Sequence, residues 1–417
     1  MSNSANDDNF SSAAEMLVLN SYGGEVLRPL GPVALICEQV DHALSDALNY
    51  QLNRRRQETV EEFPEFAKIP GYLRSEYRTP VSLKRYASGE GHATILDTVR
   101  GHDLFIVTDV LNYGKTYTRF QKNFPISPDE CFEDLCRLIS AAHGVAKRIN
   151  VFMPYLYQGR RYRRESRESL DCAVMLKRLF DLGIANFITF DAHDDRIANA
   201  VPRHNFESAE TSLQLLQALV REYPDVKINK DNFMVVSADE ASITRGIYYA
   251  SIMQVPLGIF YRRYDPRLLS KFQYTAQYLK AHADKLFLGE NVAGKDVLIV
   301  DDMIDTGKTV LECARKLKQR QANRIFVAVS FAQFSLGIES FNKAYETKLI
   351  DRIFATNLAY RPENLLAADW FCDVDLSSYL ALLIDGVNHN ASLSQFINPN
   401  KRIGRLLESY KGESNAG

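Results

Sequence analysis

Short β-branched or apolar runs recur along the chain, and the stretches between them carry apolar residues three and four apart. The runs are VALIC at 33–37, DLFIVTDV at 103–110, INVFMPYL at 149–156, ANFITFDAH at 185–193, NFMVVSAD at 232–239, PLGIFY at 256–261, DVLIVDD at 296–302, RIFVAVSF at 324–331 and DRIFATN at 351–357. Runs this apolar suit strands covered on both faces, and segments such as 129–147, 169–183 and 307–319 suit the covering helices. The pattern predicts an α/β fold of mostly parallel sheets flanked by helices. With 417 residues, 46% of them hydrophobic, the chain can build two cores. The strands divide into two tandem halves, 22–205 and 206–390, followed by a C-terminal helix and tail over 391–417. The polar, acidic stretch 1–21 is expected to be disordered.

Composition excludes several classes of function. Lys+Arg 50 against Asp+Glu 52 leaves a formal charge of −2, so no global field would hold the chain on nucleic acid or an anionic membrane. No apolar run approaches the roughly 18 residues needed to span a bilayer. Cys37, Cys131, Cys136, Cys172, Cys313 and Cys372 show no paired spacing and read as reduced thiols. A cytoplasmic location is the expectation, with no nucleic-acid or membrane partner.

The chemistry concentrates first at 296–309, DVLIVDDMIDTGKT. An apolar strand ends in two carboxylates, and a tight loop then opens a helix, at the strand edge where open α/β sheets bind ligands. Backbone N–H groups of Asp305, Thr306, Gly307, Lys308 and Thr309 would make a nest for a phosphate, with the two threonine hydroxyls as added donors. Asp301 and Asp302 would repel that phosphate and instead suit ribose hydroxyls or a metal. Gly307-Lys308-Thr309 is not the end of a Walker A loop, because Asp302 stands where that motif needs glycine. The pattern resembles the ribose-phosphate motif of the phosphoribosyltransferase superfamily.

The segment 149–193 narrows the resemblance. INVFMPYLYQGRRYRRESRES is similar to the strand, Pro/Tyr turn and Arg-rich ATP loop of the ribose-phosphate pyrophosphokinases, and FITFDAHD to the strand end that carries their metal-binding Asp-x-His. RYASGEGHATILDTVRGHDLFIVTDV at 85–110 resembles their N-terminal segment, and VVSADEASITR at 235–245 their second acidic strand end, with Arg245 as basic neighbour. The resemblance implies two tandem phosphoribosyltransferase-like domains. It also implies that Ser88, Glu90, Arg160 and Arg161 bind ATP, the first two usually across a subunit interface. Residues 301, 302 and 305–309 would take ribose 5-phosphate, and His193, Asp239 and Asp191 would hold Mg²⁺. A homo-oligomer, dimer or hexamer, is implied as well. Read without the family, 87–91 is a Ser/Gly turn and the arginine run a basic patch.

Three features depart from the pattern. Where the family carries a catalytic Lys and Arg after the strand at 256–261, this chain has Arg262 and Arg263, which keep the charge with a different geometry. The connection 262–290 is extended, and the segment between Leu19 and Leu83 is enlarged. The expected reaction is transfer of the diphosphate of ATP to the anomeric hydroxyl of ribose 5-phosphate. The alternatives are the same transfer to a larger ribose phosphate, a non-catalytic regulatory homologue, or a phosphoribosyltransferase; the last leaves 155–168 without a role.

Overall fold

The computed structural model describes residues 26–164, 167–263 and 284–414. The expectation of disorder over 1–21 and most of the connection 262–290 lie outside the described residues. The chain forms two units, the first built from residues 1–211, 357–360 and 375–399, the second from 212–356, 361–374 and 400–417.

In the first unit β1 (Val33–Glu38) leads to α1 (His42–Glu62), a hairpin of β2 (Val81–Arg85) and β3 (Gly91–Ile95), and β4 (Asp103–Thr108). A second hairpin, β5 (Thr116–Arg119) and β6 (Lys122–Pro125), precedes α2 (Pro128–Ala142), β7 (Arg148–Phe152), α3 (Asp171–Asp181), β8 (Asn186–Phe190) and β9 (Asn205–Ala209). The five-stranded sheet runs β1-β4-β7-β8-β9 and is parallel throughout. All residues of β4 are buried, as a central parallel strand requires. Helix α2 starts where Ser127 and Glu130 close a capping box. It buries Phe132, Leu135, Leu138 and Ile139, three and four apart, each contributing about 1.5–3 kcal/mol.

The second unit contains α4 (Ser212–Glu222), β10 (Phe233–Ser237), α5 (Ile243–Met253), β11 (Leu257–Arg263), β12 (Asp284–Leu288) and β13 (Asp296–Ile304). Then come α6 (Lys308–Gln319), β14 (Ile325–Ala332), α7 (Glu339–Glu346), β15 (Arg352–Thr356) and β16 (Phe371–Val374). Its seven strands run β12-β11-β10-β13-β14-β15-β16, with β12 alone antiparallel to its neighbour. Helix α8 (Ser377–Asn388) belongs to the first unit and α9 (Asn400–Ser414) to the second. The expected α/β class holds: every apolar run named above contains a parallel strand. Among the described residues no helix is long and apolar enough to cross a membrane.

Candidate active site

In the second unit the strand register decides which side chains meet. Ser237, the last residue of β10, pairs with Ile259 of β11 on one side and with Val300 of β13 on the other, and both neighbours continue past it to Arg263 and Ile304. Asp239, Arg262, Arg263, Asp301 and Asp302 therefore share one edge, and the 305–309 loop leaves from it.

That loop turns on one glycine. Gly307 sits at φ +76° and caps α6. A β-carbon there would collide with the ring of Phe341, so both the conformation and the space call for glycine. Asp305 anchors the turn: its carbonyl accepts from Ser335 N at 2.9 Å and its Oδ1 from Ser335 Oγ at 2.6 Å. Thr306 and Lys308 stay exposed on either side of the Gly307 cap.

The carboxylates beside the loop repel one another. Burial pushes Asp301 well above the usual range, and the charges of Asp302 and Asp239 push it further. Asp239 spends Oδ1 on its own turn, accepting from Ala241 N at 3.0 Å and Ser242 N at 3.3 Å. Its Oδ2 faces Arg262 Nη2 at 3.6 Å, and Arg262 Nη1 also donates to Glu240 Oε2 at 3.1 Å. Arg263 ends β11 exposed. Lys285, opposite Arg262 on β12, is buried and donates to Cys313 Sγ at 3.4 Å. Sequence reasoning missed Glu240 and Lys285; the strand pairing that places Lys285 depends on a long connection whose return point the sequence does not reveal.

In the first unit Arg160 and Arg161 lie exposed in a short 3-10 turn, Gly159–Arg161, after β7. Tyr162 follows, its ring 6.0 Å from that of His193, which lies just past β8. The guanidiniums of Arg163 and Arg196 lie over Tyr162 at 5.9 and 5.7 Å. Arg196, as hydrogen-bond donor, holds the Asp194 carboxyl down to about 2. The arginine loop and the Asp-x-His strand end thus meet at one sheet edge.

Asp191 is buried, with φ +42°, and its Oδ2 accepts from Thr211 N at 3.2 Å and from Thr211 Oγ1. That carboxylate ties the end of β8 to the second residue after β9. Ser88 and Glu90 form a separate turn, with Ser88 Oγ donating to Glu90 Oε2 at 2.7 Å. A β-carbon on Gly89 would meet Arg119 and one on Gly91 would meet Arg137 of α2, so this turn packs against the neighbouring hairpin and helix. Among the described residues no group of three or more His, Cys, Asp and Glu side chains converges as a closed metal cage.

Residues 61–183 match the model of the N-terminal domain of ribose phosphate pyrophosphokinase, and residues 204–361 that of the phosphoribosyl transferase domain. The ribose-phosphate pyrophosphokinase of Mycoplasma genitalium is 26% identical over 297 residues, 71% of this chain and 80% of that protein. That of Vibrio cholerae is 26% identical over 322 residues, 76% of this chain and 90% of that protein. The crystal structure of phosphoribosylpyrophosphate synthetase from Mycobacterium smegmatis shares the fold, with a TM-score of 0.64 at 19% identity, covering 86% of this chain and all (100%) of that one. The two domain models in order and the relatives matched along most of their length give one conclusion: the chain belongs to the ribose-phosphate pyrophosphokinase family of enzymes.

Proposed function

We propose that the chain is a ribose-phosphate diphosphokinase: the anomeric hydroxyl of ribose 5-phosphate attacks the β-phosphorus of ATP, and phosphoribosyl diphosphate and AMP result. The new bond joins the sugar oxygen to the β-phosphorus, the bridge to the α-phosphate breaks, and the hydroxyl proton leaves to solvent. The observation that carries this reading is the edge where Asp301 and Asp302 adjoin a glycine-capped helix start. The 305–309 backbone would hold the 5-phosphate, and Asp301 and Asp302 the ribose hydroxyls. Arg160 and Arg161, with Ser88 and Glu90, would hold ATP, the latter pair across a contact between copies of the chain in a homo-oligomer.

The donor set suits Mg²⁺. Asp301 is forced up by burial and by two neighbouring carboxylates, a strain that a cation would relieve, and these three carboxylates are hard oxygen donors. A closed cage is not needed, because this ion usually keeps waters and phosphate oxygens among its ligands. His193 in the first unit and Asp239 in the second would each be a metal contact within its own unit, while Asp191, committed to Thr211, would position the His193 turn. Bound there, the ion would neutralise charge on the diphosphate. Arg262 and Arg263 would stabilise charge on the transferring group, and in such positions removing one cation costs about 10²–10³ in rate.

The test is AMP formation by purified protein with ATP, Mg²⁺ and ribose 5-phosphate, with Asp302→Ala as control. AMP that requires the sugar phosphate and vanishes in the variant supports the reading. AMP absent with every sugar phosphate tried favours a regulatory homologue, a second reading that the ties from Arg262 to Glu240 and Asp239 support.

A further inference from the structure

The hairpin β5–β6 stands against the turn that carries Ser88 and Glu90. Tyr117 and Phe124 pair across it, and Tyr117 OH donates to Glu130 Oε1 of α2 at 2.7 Å. The guanidinium of Arg85 lies over Tyr117 at 5.7 Å, and Arg85 Nη1 donates to the buried Asp134 at 2.9 Å. The hairpin is therefore fastened on its inner face. From that face Arg119 reaches the turn: a β-carbon built on Gly89 would fall 2.9 Å from Arg119 Nη1 and 3.1 Å from its Cδ. Arg119 thus lies along the backbone between Ser88 and Glu90.

Two further observations set this arm apart. The Arg119 guanidinium is 5.6 Å from the rings of both Phe120 and Phe124, yet its Nε is buried without a hydrogen-bond partner, and among the described residues it pairs with no carboxylate. Phe120 is 77% exposed at the hairpin tip. Phe120 and Gln121 have φ of 49° and 59°, so a two-residue turn that favours Asn and Gly holds two bulky residues in the left-handed region. A strained, exposed ring beside a cation is a costly tip for a hairpin that only covers a surface.

We propose that β5–β6 is a second nucleotide-recognition arm, in which the Phe120 ring and the Arg119 guanidinium pack on the purine base of the ATP bound at the Ser88–Glu90 turn. The inference rests on the ATP reading of that turn. Stacking against an aromatic face and a planar cation is how unspecialised surfaces hold bases, and it falls on binding and not on phosphoryl transfer.

The test uses the full-length protein with Mg²⁺ and three variants: Arg119→Ala, Arg119→Lys and the double variant Phe120→Asn with Gln121→Gly. Binding of α,β-methylene-ATP is measured by calorimetry beside steady-state AMP formation. Arg119→Ala and the double variant should each raise the Kd for the analogue and the KM for ATP about tenfold, leaving the ribose 5-phosphate KM and kcat unchanged. Arg119→Lys should restore part of the loss. The double variant should also melt at a higher temperature, because its turn is relaxed, a combination that a purely structural hairpin would not give. ATP constants within about twofold of the parent in both Arg119→Ala and the double variant overturn the arm. A parent that binds the analogue and loses it in Arg119→Ala, but forms no AMP, keeps the arm and removes only the diphosphokinase assignment. A parent that binds no analogue overturns both.

Discussion

Asp301 shows what the site costs at the scale of one residue. Burial, with Asp302 and Asp239 beside it, raises its carboxyl, so the fold prefers the protonated form. A raised acid contributes stability that is complete below its ordinary value of 3.8 and is lost as the pH rises through the folded value. Above its ordinary value the folded state therefore holds this acid less favourably than the unfolded chain does, and Asp301→Asn should stabilise the protein at pH 8 on the order of 1 kcal/mol, about 2–4 °C in melting temperature for a domain of ordinary size. If Asp301 holds the ribose hydroxyls, the same variant should lose about 10²-fold in kcat. Calorimetry at pH 8 with the AMP assay checks both; a variant that melts lower at pH 8 would sink the argument. The acids and the loop were legible because they follow one strand in sequence. The ties from Arg262 to Glu240 and Asp239 were not, since they depend on the register in which β11 pairs with β10 and runs past its end.

At the scale of elements, β1 and β4 end in a buried acid and the hydroxyl that faces it. Glu38 and Thr108 are register partners, and Thr108 Oγ1 donates to Glu38 Oε2, while Glu38 Oε1 is buried without a partner. Burial pushes Glu38 up to about 8, with Asp134 and Asp109 adding to it against Thr108 and Arg85. Its contribution to stability is complete below 4.5 and is lost as the pH climbs through about 8, a swing of several kcal/mol. Glu38→Gln should leave stability at pH 5 nearly unchanged and flatten the fall between pH 6 and 9, as denaturant midpoints across that range would show. Equal slopes in parent and variant would exclude Glu38 as the titrating group. Strands as apolar as β1 and β4 were readable from sequence, but the hairpins were not. The strands β2, β3, β5 and β6 are only four or five residues long, and all their positions are half-buried or exposed, with too little apolar contrast to register. Helix α1 was missed for a related reason: its buried stripe of Leu44, Leu48 and Leu52 continues through Arg55, Arg56 and Thr59, which read as a solvated face.

For the whole molecule, the chain does not finish one unit before starting the next. Helix α8 lies far along the sequence, yet it belongs to the first unit, and all twelve of its residues are buried. An apolar helix announces that something covers it, and nothing in residues 377–388 says which sheet or helix does. The partner is α1, and the join is charged. Arg56 Nε donates to Asp385 Oδ1 at 3.3 Å, Arg56 Nη2 to Asn388 Oδ1 at 2.6 Å, and Arg56 Nη1 to the carbonyl of Tyr72 at 3.2 Å, while the guanidinium lies 4.4 Å from the Tyr72 ring. Arg56 and Asp385 are both fully buried, at 0% exposure. Removing one partner of such a pair strands the other charge in the interior, so Arg56→Ala should cost about 3–5 kcal/mol, whereas replacing both by apolar residues of similar volume should cost much less. The same reasoning predicts that a fragment ending at Thr211 will not fold, because it keeps Arg56 and exposes the face that α8 covers, and that adding residues 375–399 as a separate peptide will restore cooperative melting. A fragment of residues 1–211 that melts cooperatively by itself would show that α8 decorates the first unit and does not complete it.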